Sequence, residues 1–164
     1  LAALLACMAL SAPLAAQQFD TISFGVDGGY PPFDVLAPSG EITGFDIDIA
    51  NALCTQLKAK CVFVKQPFES MIAALNAHKF DAISASLNIT DERKKEVDFT
   101  DRYYRSAAQL VARKGSPLLP EVASLKGKTV GVQTGSTHEA FAKANWANHG
   151  VKIVGYANQD NVYR

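Results

Sequence analysis

Apolar positions recur along most of this chain in two alternating rhythms. Ile22 to Val26 and Cys61 to Val64 are short runs rich in β-branched and aromatic residues, the pattern of buried strands. Between them Ile49, Ala50, Leu53, Cys54 and Leu57 share one face at helical spacing, which predicts a helix over Phe45 to Leu57. Phe68, Met71, Ile72 and Leu75 predict another over Phe68 to Ala77, and Ala82 to Ala85 reads as a short buried strand. An apolar strand is expected at Ser106 to Ala112, before Lys114-Gly115-Ser116-Pro117 and Pro120 break the pattern. A second unit follows: strand Thr129 to Val132, helix Ser136 to Ala147, strand Val151 to Tyr156. Strands and helices in this order call for an α/β fold with mainly parallel sheets covered on both faces. The break near residue 110 divides a first lobe, 17–108, from a partial second lobe, 109–164.

The first residues behave differently. Leu1 to Ala16 carries no charge, and an apolar run gives way to small residues before polar chemistry begins at Gln17. This is the pattern of a signal peptide, 1–16, whose basic start lies upstream of Leu1, so the mature chain is expected in the periplasm. A buried N-terminal helix is the alternative. Leu4-Leu5-Ala6-Cys7 also has the spacing of a lipoprotein box, although the residues after Cys7 stay apolar.

Composition narrows the class. The 164 residues are 48% hydrophobic, enough for a real core. Sixteen acidic and sixteen basic side chains cancel with no long single-sign run, which argues against a nucleic-acid groove or an anionic membrane surface and for a small partner. Loss of the signal removes Cys7 and leaves Cys54 and Cys61 as an even pair in an oxidising compartment, where they should bridge a helix end to the next strand. Two free core thiols are the alternative. A loop this short gives roughly 2–3 kcal/mol by the chain-entropy argument, so the bridge serves stability.

Candidate chemistry sits where strands end. Phe24-Gly25-Val26-Asp27-Gly28-Gly29 and Val130-Gly131-Val132-Gln133-Thr134-Gly135 both run from a strand into a polar, glycine-bearing turn, the place where open α/β sheets hold ligands. Ordinary turn chemistry also favours glycine there. Ser136-Thr137-His138-Glu139 fits a capping box whose free N–H groups attract anions. Asn88 to Arg93 reads as a second helix start, with Thr90 as N-cap and Arg93 one turn in, and the planar fork of an arginine matches a carboxylate. A carboxylate held by donors from both units would join them.

These segments together resemble the periplasmic amino-acid-binding proteins of ABC importers, solute-binding family 3, in particular the lysine/arginine/ornithine and histidine binders. The resemblance runs from about Thr21 to the end. It is carried by Gly25-Val26-Asp27 with Tyr30-Pro31-Pro32-Phe33, Gly44-Phe45-Asp46-Ile47-Asp48, the pair Cys54 and Cys61, and Phe80-Asp81-Ala82-Ile83. Ile89-Thr90-Asp91-Glu92-Arg93, Val97-Asp98-Phe99-Thr100, Gly131 to Thr137 and Tyr156-Ala157-Asn158-Gln159-Asp160 complete it. It implies a periplasmic-binding-protein-like fold, two α/β lobes joined by hinge strands, acting as a monomer that closes on a free amino acid and docks on a membrane permease. It further implies that Arg93 pairs with the ligand α-carboxylate, helped by Ser86 and by Thr137 of the other lobe. Asp27 would receive a side-chain cation, and Tyr30 and Phe68 would sandwich the aliphatic stem. Turn packing for Tyr30, ordinary core for Phe68 and turn capping for Asp27 are the plainer roles open to those three. The resemblance also implies that a chain ending at Arg164 leaves the second lobe incomplete, without the second hinge strand and the acid for the α-ammonium, so that binding by such a chain would be weak or absent.

Departures from the pattern fall at ligand-lining positions. Ala85 stands where cationic binders often have serine, Asn88 replaces another serine, Gln133 an apolar residue and His138 a glutamine. The exact ligand among arginine, lysine, ornithine and histidine is therefore open. Neither a nucleophile elbow nor a P-loop is present, and the histidines lack metal-like spacing, so no cofactor, metal or catalytic residue is expected. The alternatives are a dehydratase built on the same fold and the sensor domain of a receptor.

Overall fold

The computed structural model describes residues 19–164, so the expected signal segment and Cys7 lie outside the described residues. β1 (Thr21–Val26) leads into a small antiparallel meander of β2 (Gly29–Tyr30), β3 (Asp34–Leu36) and β4 (Ile42–Thr43). α1 (Phe45–Leu57) then crosses to β5 (Lys60–Lys65), and α2 (Met71–Asn76) to β6 (Ala82–Ile83). β1 is the central strand of the order β5-β1-β6, and both pairings are parallel.

Alternation along β1 decides which helix each face meets. Phe24 joins Ala50 and Cys54 of α1 in one buried cluster. Gly25 points the other way, toward Phe80 of the cluster built on Met71 and Ala74 of α2. A Cβ at position 25 would lie 2.5 Å from the Phe80 ring, so only glycine lets that ring close over the strand. Asp46 and Asp48 in the first turn of α1 complement its dipole. The Cys54–Cys61 disulfide ties the end of that helix to β5 across a Cα–Cα distance of 5.8 Å.

The second part holds α3 (Val122–Leu125), β7 (Thr129–Gln133), α4 (Thr137–Asn145), β8 (Lys152–Tyr156) and α5 (Gln159–Tyr163). β7 and β8 are parallel, in register from Thr129↔Lys152 to Gln133↔Tyr156. Leu125, Val130, Val132, Ala142, Trp146 and Val151 form its separate core. Among the described residues no helix is long and apolar enough to cross a membrane.

Several expected elements come out differently. Ser106 to Ala112 forms no strand, because none of the described strands runs alongside to complete a ladder; Leu110 still packs on the second core, while Val111 stays exposed. The helix expected from Phe68 opens with a 3₁₀ turn, Phe68–Ser70. Ser70 there donates its hydroxyl to the Pro67 carbonyl, a local bond that competes with the α-helical ladder. The helix start at Thr90 is a single 3₁₀ turn, Arg93–Lys95, although Thr90 Oγ1 does accept the Arg93 N–H at 3.2 Å. The strand at Ala82 to Ala85 ends at Ile83, and α4 ends at Asn145 before a further 3₁₀ turn, Ala147–His149.

Candidate ligand-binding cleft

Parallel strands of both sheets end toward the same space, and the polar residues that follow them meet there. Asp27, one residue past β1, is 6% exposed, and Gln133 at the end of β7 is 5% exposed. The Gln133 side-chain amide donates to Asp27 Oδ2 at 3.0 Å, joining residues 106 positions apart. Burial pushes the Asp27 carboxyl above its usual range; the Gln133 amide, the Phe68 N–H and the charge of Lys65 pull it back in part.

Arg93 bridges the same gap. Its guanidinium donates to the Asn88 carbonyl at 2.8 Å and to the Gly135 carbonyl at 3.0 Å, and stands 5.8 Å from the centre of the Phe68 ring. It forms no ion pair among the described residues. Burial alone lowers its pKa, yet a guanidinium stays charged in proteins and keeps further N–H donors beyond those two bonds. A second polar link lies beside it, where the Asn88 side-chain amide donates to Thr137 Oγ1 at 2.7 Å. Ser136 caps α4 as expected, accepting the Glu139 N–H at 3.1 Å. The return bond of the capping box lands one residue early: Glu139 accepts from the N–H of Gly135 at 2.7 Å, because that of Ser136 already donates to the Gln133 carbonyl.

Two buried carboxylates that were given no role from the sequence organise the first sheet's side of the cleft. Asp46 accepts from the Ser86 hydroxyl at 2.7 Å and from the Tyr103 hydroxyl at 2.9 Å, while Ser84 donates to its carbonyl at 2.9 Å. Burial, followed by the neighbouring Asp46 charge, drives the Tyr103 phenol far above its ordinary value. Asp34, with no exposed surface, accepts main-chain N–H groups of Asp27 and Tyr30. Asp46 stands in the Gly44 to Asp48 stretch that carries the resemblance, which is the signal that was available. Asp34 carried none, because its partners are main-chain groups that no side-chain pattern reveals.

The remaining candidates divide. Tyr30 stacks on Phe33 with ring centres 5.0 Å apart, and Phe33 stacks in turn on Tyr104 at 5.1 Å. Burial raises the Tyr30 phenol to about 12. Ala85 is 3% exposed and packs with Met71, Ala74 and Phe80, the cluster that Ile83, two residues earlier, also joins. His138 lies exposed on α4 and makes none of the bonds that cross the gap. A cavity of about 640 Å³ is lined by Ser86, Asn88, Thr90, Tyr104 and Thr137, but not by Asp27, Tyr30, Phe68 or Arg93. Two of those four, Asp27 and Arg93, are bonded across the gap instead, to Gln133 and to the Gly135 carbonyl.

Comparison with known proteins fits this arrangement. Residues 22–159 match the family model of bacterial extracellular solute-binding proteins, family 3. The lysine/arginine/ornithine-binding periplasmic protein of Escherichia coli (strain K12) is 46% identical over 144 residues, which cover 88% of this chain and 55% of that protein. The L-arginine-binding protein of Pseudomonas aeruginosa is 44% identical over 94% of this chain and 60% of its own length. Among solved structures, an ancestral arginine-binding protein bound to arginine superposes with a TM-score of 0.84 at 37% identity, covering 89% of this chain and 65% of that one. The chain thus spans somewhat more than half the length of the curated relatives it matches. With the family match covering most of its length and the parallel α/β sheets in place, the chain belongs to the bacterial extracellular solute-binding proteins, family 3.

Proposed function

We propose that the protein binds a free cationic amino acid, arginine, lysine, ornithine or histidine, between two lobes spanning 17–108 and 109–164, and delivers it in the periplasm to the permease of an ABC importer. The observation that carries this reading is the pair of opposite poles in one cleft. Arg93 has no carboxylate of its own among the described residues, and Asp27 has only a neutral amide across the gap. An amino acid with a carboxylate at one end and a cation at the other complements both. Charge-assisted hydrogen bonds contribute roughly 1.5–3 kcal/mol each, so a few of them with burial over Tyr30 and Phe68 reach the roughly −8 kcal/mol of micromolar binding after association entropy. The α-ammonium would find acceptors around Ser86. Thr137 at the first turn of α4 would add a donor to the carboxylate from the other lobe, and Asn88 beside it would do the same. Relatives whose names specify arginine, lysine and ornithine support the same ligand class.

The test is a thermal-shift screen of the standard amino acids plus ornithine on the full-length protein, followed by calorimetry of variants. R93A should abolish binding of every ligand. D27A should weaken arginine by about tenfold or more, on the order of one lost charged bond, and leave glutamine nearly unchanged. Equal loss for both on changing Asp27 rules out the cation assignment, and unaltered binding by R93A rules out the site.

A further inference from the structure

The turn that carries Asp27 and Tyr30 is gripped from one side by a single carboxylate. Asp34 begins β3 and pairs with Tyr30 across the antiparallel ladder. Its Oδ2 accepts the main-chain N–H of Asp27 at 3.0 Å, and its Oδ1 accepts that of Tyr30 at 3.1 Å. The N–H of Leu36 donates to the Gly28 carbonyl at 3.0 Å, so the intervening residues are fixed as well. Asp34 itself is 0% exposed and has no surface to offer a ligand. We infer that Asp34 is a positioning residue of the cleft, setting where the Asp27 carboxylate and the Tyr30 ring stand without touching what they bind. The consequence for ligand affinity rests on the reading above; the grip on the two main-chain groups does not.

A carboxylate suits this task because it accepts on both oxygens at once. An asparagine would turn its amide nitrogen toward one of the two N–H groups, donor against donor. The titratable groups facing Asp34 are Asp27 beyond β1, Tyr30 on β2, Asp46 on α1 and Tyr104, while Lys65 at the end of β5 acts on Asp27. Burial raises the Asp34 carboxyl, the Asp27 N–H offsets part of this, and the charge of Asp27 raises it again, to about 6. The grip therefore weakens as pH falls through that value, when the charge-assisted bonds become neutral ones.

Two measurements on the full-length protein decide it. In ligand-free protein, the Tyr30 amide resonance should titrate with a midpoint near 6, and D34N should remove that midpoint, while the Asp27 amide also follows its own carboxyl. In D27N the Tyr30 midpoint should persist at lower pH, because the Asp27 charge helps to hold it up. Calorimetry near neutral pH should show D34N weakening arginine by about tenfold or more and glutamine as well, to a smaller extent, where D27A leaves glutamine nearly unchanged. If D34N does not fold, D34S, which keeps one acceptor oxygen in less volume, takes its place. A Tyr30 amide resonance that ignores the titration, or a folded D34N or D34S that binds both ligands as wild type does, overturns the proposal. A wild-type protein that binds no amino acid ends the reading of the cleft and leaves the amide titration to judge Asp34.

Discussion

Gln133 shows how much a single side chain decides in this cleft. Its amide is the side-chain donor that the buried Asp27 carboxylate receives from the opposite sheet. From the sequence, Gln133 was a departure at a position usually apolar, and nothing in the pattern linked it to Asp27. Removing a donor from a buried acid costs more than the bond is worth in isolation, because the acid keeps its desolvation penalty. Q133L should therefore destabilise the ligand-free protein by about 1–3 kcal/mol in urea unfolding. Unchanged stability would mean that Asp27 is served by water in solution. Ala85 gives a different lesson: a ligand-lining position by resemblance, it packs in the core beside Met71, Ala74 and Phe80, on the side that Ile83 also takes.

Long, periodic elements were the legible ones. α1 runs from Phe45 to Leu57 as its apolar face predicts, and β1, β5, β7 and β8 fall within a residue or so of the expected spans. The meander β2-β3-β4 was missed because strands of two or three residues are too short to show a period. It nonetheless brings Asp34 opposite Tyr30. The capping box at Ser136 was legible from four residues. Ser136 also donates to the Gln133 carbonyl at 2.6 Å, so the cap fixes the end of β7 along with α4. S136A should cost about 1 kcal/mol of stability, read as a lower denaturation midpoint with an unchanged slope. A changed slope would point instead to altered compactness.

At the scale of the molecule, bonds from Asp27 to Gln133, Asn88 to Thr137 and Arg93 to Gly135 link residues of the first sheet's loops to those of the second. On the proposed two-lobe reading, a ligand shifts the balance between open and closed forms only by contacts that differ between them, and these three bonds would favour closure without one. Weakening two of them in Q133A/N88A should enlarge the radius of gyration of the ligand-free full-length protein in solution scattering. Arginine should restore the compact value through Arg93 and Asp27, which remain. A ligand-free wild type already as open as the double variant would show that the three bonds do not hold the lobes together.

Helical and strand periods, Gly25 in its strand and the even cysteine pair are local properties, so the sequence by itself determined the α/β class, the parallel order and the pairing of Cys54 with Cys61. The pairs that shape the cleft bring together residues far apart along the chain, or join a side chain to main-chain N–H groups that every residue possesses. Only the tertiary structure decided that Gln133 serves Asp27, that Asp34 holds the turn and that Ala85 is core, because those outcomes depend on distances between elements that no period encodes.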